Sequence, residues 1–204
     1  MKNEYRAGLM VGAMTAALTF ATSAFAALAP GAQAPDFTAQ ASLAGKGFTF
    51  SLKQALQKGP VVVYFYPSAY TGGCDIEAHT FATQKASFDA AGATIIGVSE
   101  DSLQRLNTFS ADPNYCAGKF PVASDANGAI ATSYQLKTEA AQAGAKDVRG
   151  VEIGHGFIER TTFVIGSDGK IVATLSSEAD HLHPADHVKK SLQIVQEIKA
   201  GKAP

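Results

Sequence analysis

Val61-Val62-Val63-Tyr64-Phe65-Tyr66 is an unbroken run of β-branched and aromatic residues between the Gly59-Pro60 break and Pro67. A run without alternation predicts a strand buried on both faces, in a sheet covered by helices. From Thr71 to Ala91 the period lengthens. Cys74, Ala78, Phe81, Lys85 and Phe88 recur at spacings of four, three, four and three, which places them on one helical stripe. Thr94 to Val98 predicts a second buried strand, and Asp101 to Ser110 a helix with Leu103, Leu106 and Phe109 inward. Phe48 to Leu52 alternates as a short strand, Phe120-Pro121-Val122 leads into another, and Ala129 to Leu136 predicts a helix. Thr161 to Ile165, a Ser167-Asp168-Gly169-Lys170 turn and Ile171 to Leu175 predict a hairpin. Pro184 opens a last helix through Ile198, with Val188, Leu192, Val195 and Ile198 on its apolar side. Ala27 to Ala34 is a small-residue lead-in, and the Gly- and Ala-rich stretch Lys137 to Gly156 reads as a loop or insertion. With no internal repeat, this order describes one α/β layered domain.

The first residues stand apart. Lys2 and Arg6 precede an apolar stretch from Ala7 to Phe20, and Ala24-Phe25-Ala26 supplies a small-x-small cleavage pattern. Residues 1–26 are therefore expected to be a secretory signal peptide, with the mature domain over 27–204. The rival reading is a retained anchor, since no charge falls between Arg6 and Asp36. The stretch is Ala-rich and carries Gly8, Gly12, Thr15 and Thr19, which makes it weakly apolar for a span. Export, with the bacterial periplasm as destination, implies an oxidising compartment where two cysteines can pair. The whole chain carries 17 Lys and Arg against 18 Asp and Glu. Near-neutrality leaves no electrostatic footprint for nucleic acid or an anionic membrane. Two cysteines exclude both a disulfide-dense scaffold and a four-cysteine zinc site.

The chemistry concentrates in Tyr66-Pro67-Ser68-Ala69-Tyr70-Thr71-Gly72-Gly73-Cys74. A buried strand stops at Pro67, a loop rises, and Cys74 falls in the first turn of a helix. Unpaired N–H groups and the helix dipole favour a negative charge there, and the thiolate is the nucleophilic form of cysteine. The bland alternative is a small buried hydrophobe at the head of its stripe.

Pro67-x-x-x-Thr71-x-x-Cys74 resembles the active-site motif of the peroxiredoxins, and the resemblance runs from about Gly31 to Ala200. Ala34-Pro35-Asp36-Phe37, Val62 to Pro67, Phe120 to Asp125 and Arg160 to Gly169 match further family blocks in order. Tyr70-Thr71 before the cysteine and Glu77 after it are most similar to the bacterioferritin-comigratory, or Q-type, subgroup. The resemblance implies a thioredoxin-like three-layer fold with a central mixed β-sheet flanked by helices. It also implies a thiol peroxidase acting on hydrogen peroxide and small organic hydroperoxides without metal or organic cofactor, reduced by a thioredoxin-like dithiol, as monomer or homodimer. Cys74 is then the peroxidatic nucleophile, Thr71 turns its hydroxyl to the sulfur and the peroxide, Arg160 lowers the thiol pKa and binds substrate oxygen, and Pro67 shields the site. Each has a plainer role: Thr71 as a helix N-cap only, Arg160 as a surface arginine, Glu77 as a first-turn acid facing the dipole.

The chain departs from the subgroup in two places. Many Q-type members carry a second cysteine five residues after the first, where this chain has His79, and Gly72 replaces a frequent proline. The other arrangement known in the subgroup makes Cys116, in Asn114-Tyr115-Cys116-Ala117-Gly118, the resolving thiol of an intramolecular disulfide. Cys116 idle in a one-cysteine enzyme, or paired between chains, stays open. His181, His183 and His187 have spacing a metal could use but no fixed fourth ligand. His79 and His155 read as polar surface or capping groups. Two rival functions remain. A thiol–disulfide oxidoreductase wants Cys-x-x-Cys, where this chain has Glu77. A metal-carrying module wants a second nearby cysteine.

Overall fold

The computed structural model describes residues 27–202 and gathers them around one seven-stranded sheet. The expected leader lies outside the described residues. β1 (Thr38–Leu43) and β2 (Lys46–Ser51) form a hairpin, and α1 (Leu52–Leu56) follows with Ser51 Oγ accepting from the Gln54 N–H at 3.3 Å. β3 (Val61–Phe65) runs through a loop into α2 (Gly72–Ala90), followed by β4 (Thr94–Ser99), α3 (Leu103–Ala111), β5 (Val122–Ser124) and α4 (Ala129–Ser133). A ribbon of β6 (Thr138–Glu139) and β7 (Phe157–Ile158) brackets the next loop. β8 (Thr161–Ile165), β9 (Ile171–Ser176) and α5 (Pro184–Lys199) complete the chain. The sheet order is β2-β1-β5-β4-β3-β8-β9, with β5, β4 and β3 parallel and the outer pairs antiparallel.

The unbroken run at 61–66 has its explanation in the layers. Side chains alternate across a strand, and both faces of β3 are covered. Val62, Tyr64 and Tyr66 pack with Phe81 and Phe88 of α2, Phe109 of α3 and Val195 of α5. Val61, Val63 and Phe65 pack with Phe37, Leu52, Tyr134 and Phe163 on the opposite face. Two apolar clusters with a sheet between them make the three layers. Gly97 of β4 is a glycine for a packing reason, since a Cβ there would stand 2.6 Å from the Tyr64 ring. The α2 stripe is buried at Cys74, Ala78, Phe81 and Phe88. Lys85, half-buried, pairs with Asp89.

Several elements differ from the sequence reading. β1 was not anticipated, because its inward residues are Ala39, Ala41 and Ser42, too small to register as a hydrophobic period. The strand expected to end at Leu52 stops at Ser51, which caps α1 instead. The helix expected from Asp101 begins at Leu103, capped by Ser102 Oγ accepting from the Arg105 N–H, so Asp101 is free for other partners. α4 ends at Ser133 rather than Leu136, and Gln135 then takes a φ of 60°.

Candidate active site

Cys74 is the third residue of α2 and only 2% exposed. The topology brings Arg160 to it. β8 lies antiparallel beside β3, with Thr161 opposite Phe65, so the residue just before β8 emerges where β3 ends and the Pro67–Thr71 loop begins. Arg160 Nη2 lies 3.1 Å from Cys74 Sγ, and Nη1 donates to Glu77 Oε2. Glu77 sits one turn beyond Cys74, so both face the same guanidinium. Glu77, read from the sequence as a first-turn acid facing the dipole, is fully buried and also holds Arg160. The surface-arginine reading of Arg160 fails, its side chain being 11% exposed. Gly73 leaves room for this arrangement, since a Cβ there would stand 3.2 Å from Arg160 Nη2 and 3.3 Å from Pro184 Cγ. Thr71 occupies the N-cap position but makes no side-chain cap bond; its hydroxyl donates to the Ser68 carbonyl at 2.8 Å. Pro67, half-buried, ends the strand and borders a cavity of about 560 Å³ with Phe157, Ile158 and Glu159.

The electrostatics are a contest over one cation. Burial pushes the Cys74 thiol above its ordinary 9.0, against the Arg160 charge, the Thr71 side chain and the Ser68 backbone, which pull it down. Arg160 is the strongest of the groups that support the thiolate. Burial also lifts Glu77 to about 7, opposed by Arg160. Cys74 and Glu77 share one guanidinium, so Glu77→Gln is expected to lower the Cys74 pKa by releasing that charge to the sulfur. Ultraviolet titration of the thiolate checks this, and an unchanged or higher midpoint contradicts it.

Beneath the 68–70 segment lies a network that sequence reading missed. Asp101 is fully buried. Its Oδ2 accepts from the Ala69 N–H at 2.8 Å and Ser99 Oγ at 2.7 Å, while Oδ1 accepts from Ser68 Oγ at 3.2 Å and pairs with Arg105 Nε and His155 Nε2, each at 2.8 Å. Arg105 Nη2 donates to the Ala69 carbonyl at 2.7 Å and pairs with Asp147 at 2.9 Å. His155 is therefore not a surface group. Burial would lower its pKa, but the bond and charge of Asp101 outweigh that and raise it. Burial would raise Asp101, but His155 and the N–H of Ala69 hold it below its ordinary 3.8. Apart from β6 at its start, the Lys137–Gly156 stretch is irregular, as its composition suggests, yet it carries Asp147, Arg149 and His155 onto the active-site loop. The only signal in the sequence was the charge cluster Lys146-Asp147-Val148-Arg149.

Cys116 is free, as is Cys74, and both are buried in the same apolar cluster against Tyr64 and Tyr66. Burial pushes the Cys116 thiol well above its ordinary value, and Asp112 and Asp75 add to this. His79, where the subgroup often has a cysteine, lies with Nδ1 3.0 Å from the Asn114 carbonyl and ties α2 to the Cys116 segment. His187 is held between Thr162 Oγ1 at 3.0 Å and Ser177 Oγ at 2.9 Å, and His183 caps α5 with its N–H donating to Asp186 Oδ2. Among the described residues no group of three His, Cys, Asp or Glu could hold a metal ion.

Known proteins share this sequence pattern and fold. The AhpC/TSA family model matches residues 30–174. A Mycobacterium tuberculosis protein named as a peroxiredoxin is 33% identical over 150 residues, 74% of this chain and 86% of its own length. The crystal structure of peroxidoxin BcpB from the same organism superposes with a TM-score of 0.68 at 29% identity, covering 84% of this chain and 98% of that one. Structures of Xanthomonas campestris bacterioferritin comigratory protein, described in terms of alkyl peroxide reduction activity, superpose with a TM-score of 0.60 at 29% identity, covering 78% and 91%. The three-layer arrangement is thus the thioredoxin-like one of these structures, and the chain belongs to the AhpC/TSA family as a peroxiredoxin akin to the bacterioferritin-comigratory, or Q, type.

Proposed function

We propose that this peroxiredoxin reduces hydrogen peroxide and small organic hydroperoxides at Cys74, in the bacterial periplasm after loss of residues 1–26. The observation that carries the reading is Arg160 Nη2, 3.1 Å from a sulfur in the first turn of α2, with its other amino group anchored on buried Glu77. The Cys74 thiolate attacks the terminal peroxide oxygen, the O–O bond breaks, and the leaving oxygen takes up a proton as water or alcohol. Cys74 becomes a sulfenic acid. In this reading Arg160 donates to the charge developing on the leaving oxygen, Thr71 turns its hydroxyl from the Ser68 carbonyl toward the peroxide, and Pro67 shields the loop. The Cys116 sulfur then attacks the sulfur of the Cys74 sulfenic acid, and the departing hydroxide takes up the thiol proton, giving a disulfide and water. A thioredoxin-like dithiol returns both thiols by disulfide exchange, becoming oxidised itself. The chain works as a monomer or homodimer and needs no metal or organic cofactor.

Peroxide consumption with a dithiol donor tests this reading. The wild type is expected to turn over, and Cys74→Ser to fall to the uncatalysed rate. Consumption that survives Cys74→Ser, or protein that reduces insulin disulfides while leaving peroxide untouched, would replace the peroxidase by the disulfide-exchange alternative.

A further inference from the structure

Tyr70 joins the Cys74 loop, the Cys116 segment and the loop at Val148 and Arg149. It precedes Thr71, is 1% exposed, and holds a φ of 61°, a left-handed conformation that non-glycine residues adopt only when their surroundings impose it. On one side the Arg149 guanidinium lies 3.2 Å from the ring centroid. On another, the ring of Tyr115, the neighbour of Cys116, stands perpendicular at 5.3 Å, with Phe109 edge-on at 5.0 Å. The Tyr70 carbonyl accepts from the Val148 N–H at 2.9 Å. Arg149 is fixed in turn, donating from Nε at 3.1 Å and Nη2 at 2.7 Å to Asp147, which Arg105 holds from below. Tyr70 is therefore a wedge between the Cys74 loop and the Cys116 segment, and Arg149 is the clamp on the wedge.

Cys74 and Cys116 are buried and unbonded, and joining them requires the specific geometry of a disulfide. We propose that Arg149 is a positioning residue that times the second half-reaction. By stacking on Tyr70 it holds the Cys74 loop closed while peroxide reacts, and its release lets Cys74 and Cys116 join. This rests on the Cys74–Cys116 disulfide proposed above. Arg149 touches neither sulfur, and its effect is confined to how long the sulfenic acid persists before it is resolved. A longer-lived sulfenate is also more open to a second peroxide, so the same clamp sets sensitivity to over-oxidation.

The test mixes reduced wild type, Arg149→Ala and Arg149→Lys with hydrogen peroxide, quenches with a thiol-blocking reagent over time, and follows sulfenate, disulfide and sulfinate by mass. Arg149→Ala is expected to convert sulfenate to disulfide about fivefold faster, the size of one exposed cation–aromatic contact of ~1 kcal/mol. Its sulfinate fraction under excess peroxide should fall by a similar factor. Arg149→Lys keeps the charge beside Asp147 but loses the flat face, and should fall between the two. A residue needed only for folding would slow both half-reactions. Resolution rates in both variants equal to wild type, or slower, would overturn the proposal. No Cys74–Cys116 disulfide in the wild type would instead overturn the disulfide reading, and the clamp with it.

Discussion

Replacing Arg160 by alanine is expected to slow the reaction of Cys74 with peroxide by about 100- to 1000-fold, the usual effect of removing a donor aimed at developing charge. The variant loses the cation 3.1 Å from Sγ and leaves burial to push the thiol higher still. Stopped-flow oxidation of the reduced protein at fixed peroxide checks it; a loss of less than tenfold would place the stabilising charge elsewhere. The same substitution strands Glu77. A buried pair broken on one side costs about 3–5 kcal/mol, but a carboxyl can escape that by taking up a proton. Glu77 already has a folded pKa near about 7, above its ordinary 4.5, so its contribution to stability is full below 4.5 and is lost as pH rises through 7. Without Arg160 the folded value climbs further. The stability difference between wild type and Arg160→Ala should therefore be small in acid and grow with pH, which denaturation at several pH values reads directly.

Asp101→Ala is expected to be the most damaging substitution away from the sulfur. It removes the hydrogen-bond acceptor of Ala69 N–H, Ser68, Ser99 and His155 together with the charge partner of Arg105. Loss of a buried charge with such partners costs about 3–5 kcal/mol, or a Tm lower by roughly 10 °C in a domain of this size. Calorimetry checks the magnitude, and a fall of only a degree or two would show that the network is dispensable. The penalty carries a pH signature. Asp101 has a lowered folded pKa, so its contribution is present above its ordinary 3.8 and lost as pH falls through the lowered value. His155 has a raised one, so its share is full below its ordinary 6.5 and lost as pH rises through the raised value. The wild-type advantage should peak between the two.

What the sequence disclosed about the site was what lies close together along the chain. Pro67, Thr71 and Cys74 occupy one loop and one helix start, where a strand end, a cap position and an unpaired helix terminus follow from local rules. Arg160 is far away in sequence and was legible only through resemblance; its approach to Cys74 depends on β8 pairing with β3, which no local period encodes. Glu77 was legible as an acid in the right turn, but burial, not position, makes it the second claimant on Arg160. Asp101, Asp147, Arg149 and His155 come from two segments with no shared spacing, and the loop that carries three of them has the composition of a linker. For the fold, large apolar runs such as 61–66 announced themselves. β1, whose buried residues are two alanines and a serine, did not, because those side chains are too small to register as a hydrophobic period.

The proposed chemistry requires Cys74 to reduce the peroxide and Cys116 then to resolve the sulfenic acid left on Cys74. One equivalent of hydrogen peroxide added to the reduced wild type and to Cys116→Ser, followed by intact mass and free-thiol count, tests it most directly. The account predicts that wild type loses both thiols within seconds and gains no oxygen, while Cys116→Ser stops one oxygen heavier at Cys74. A wild type that keeps the added oxygen and its Cys116 thiol, or a Cys74 that reacts no faster than free cysteine, would contradict it.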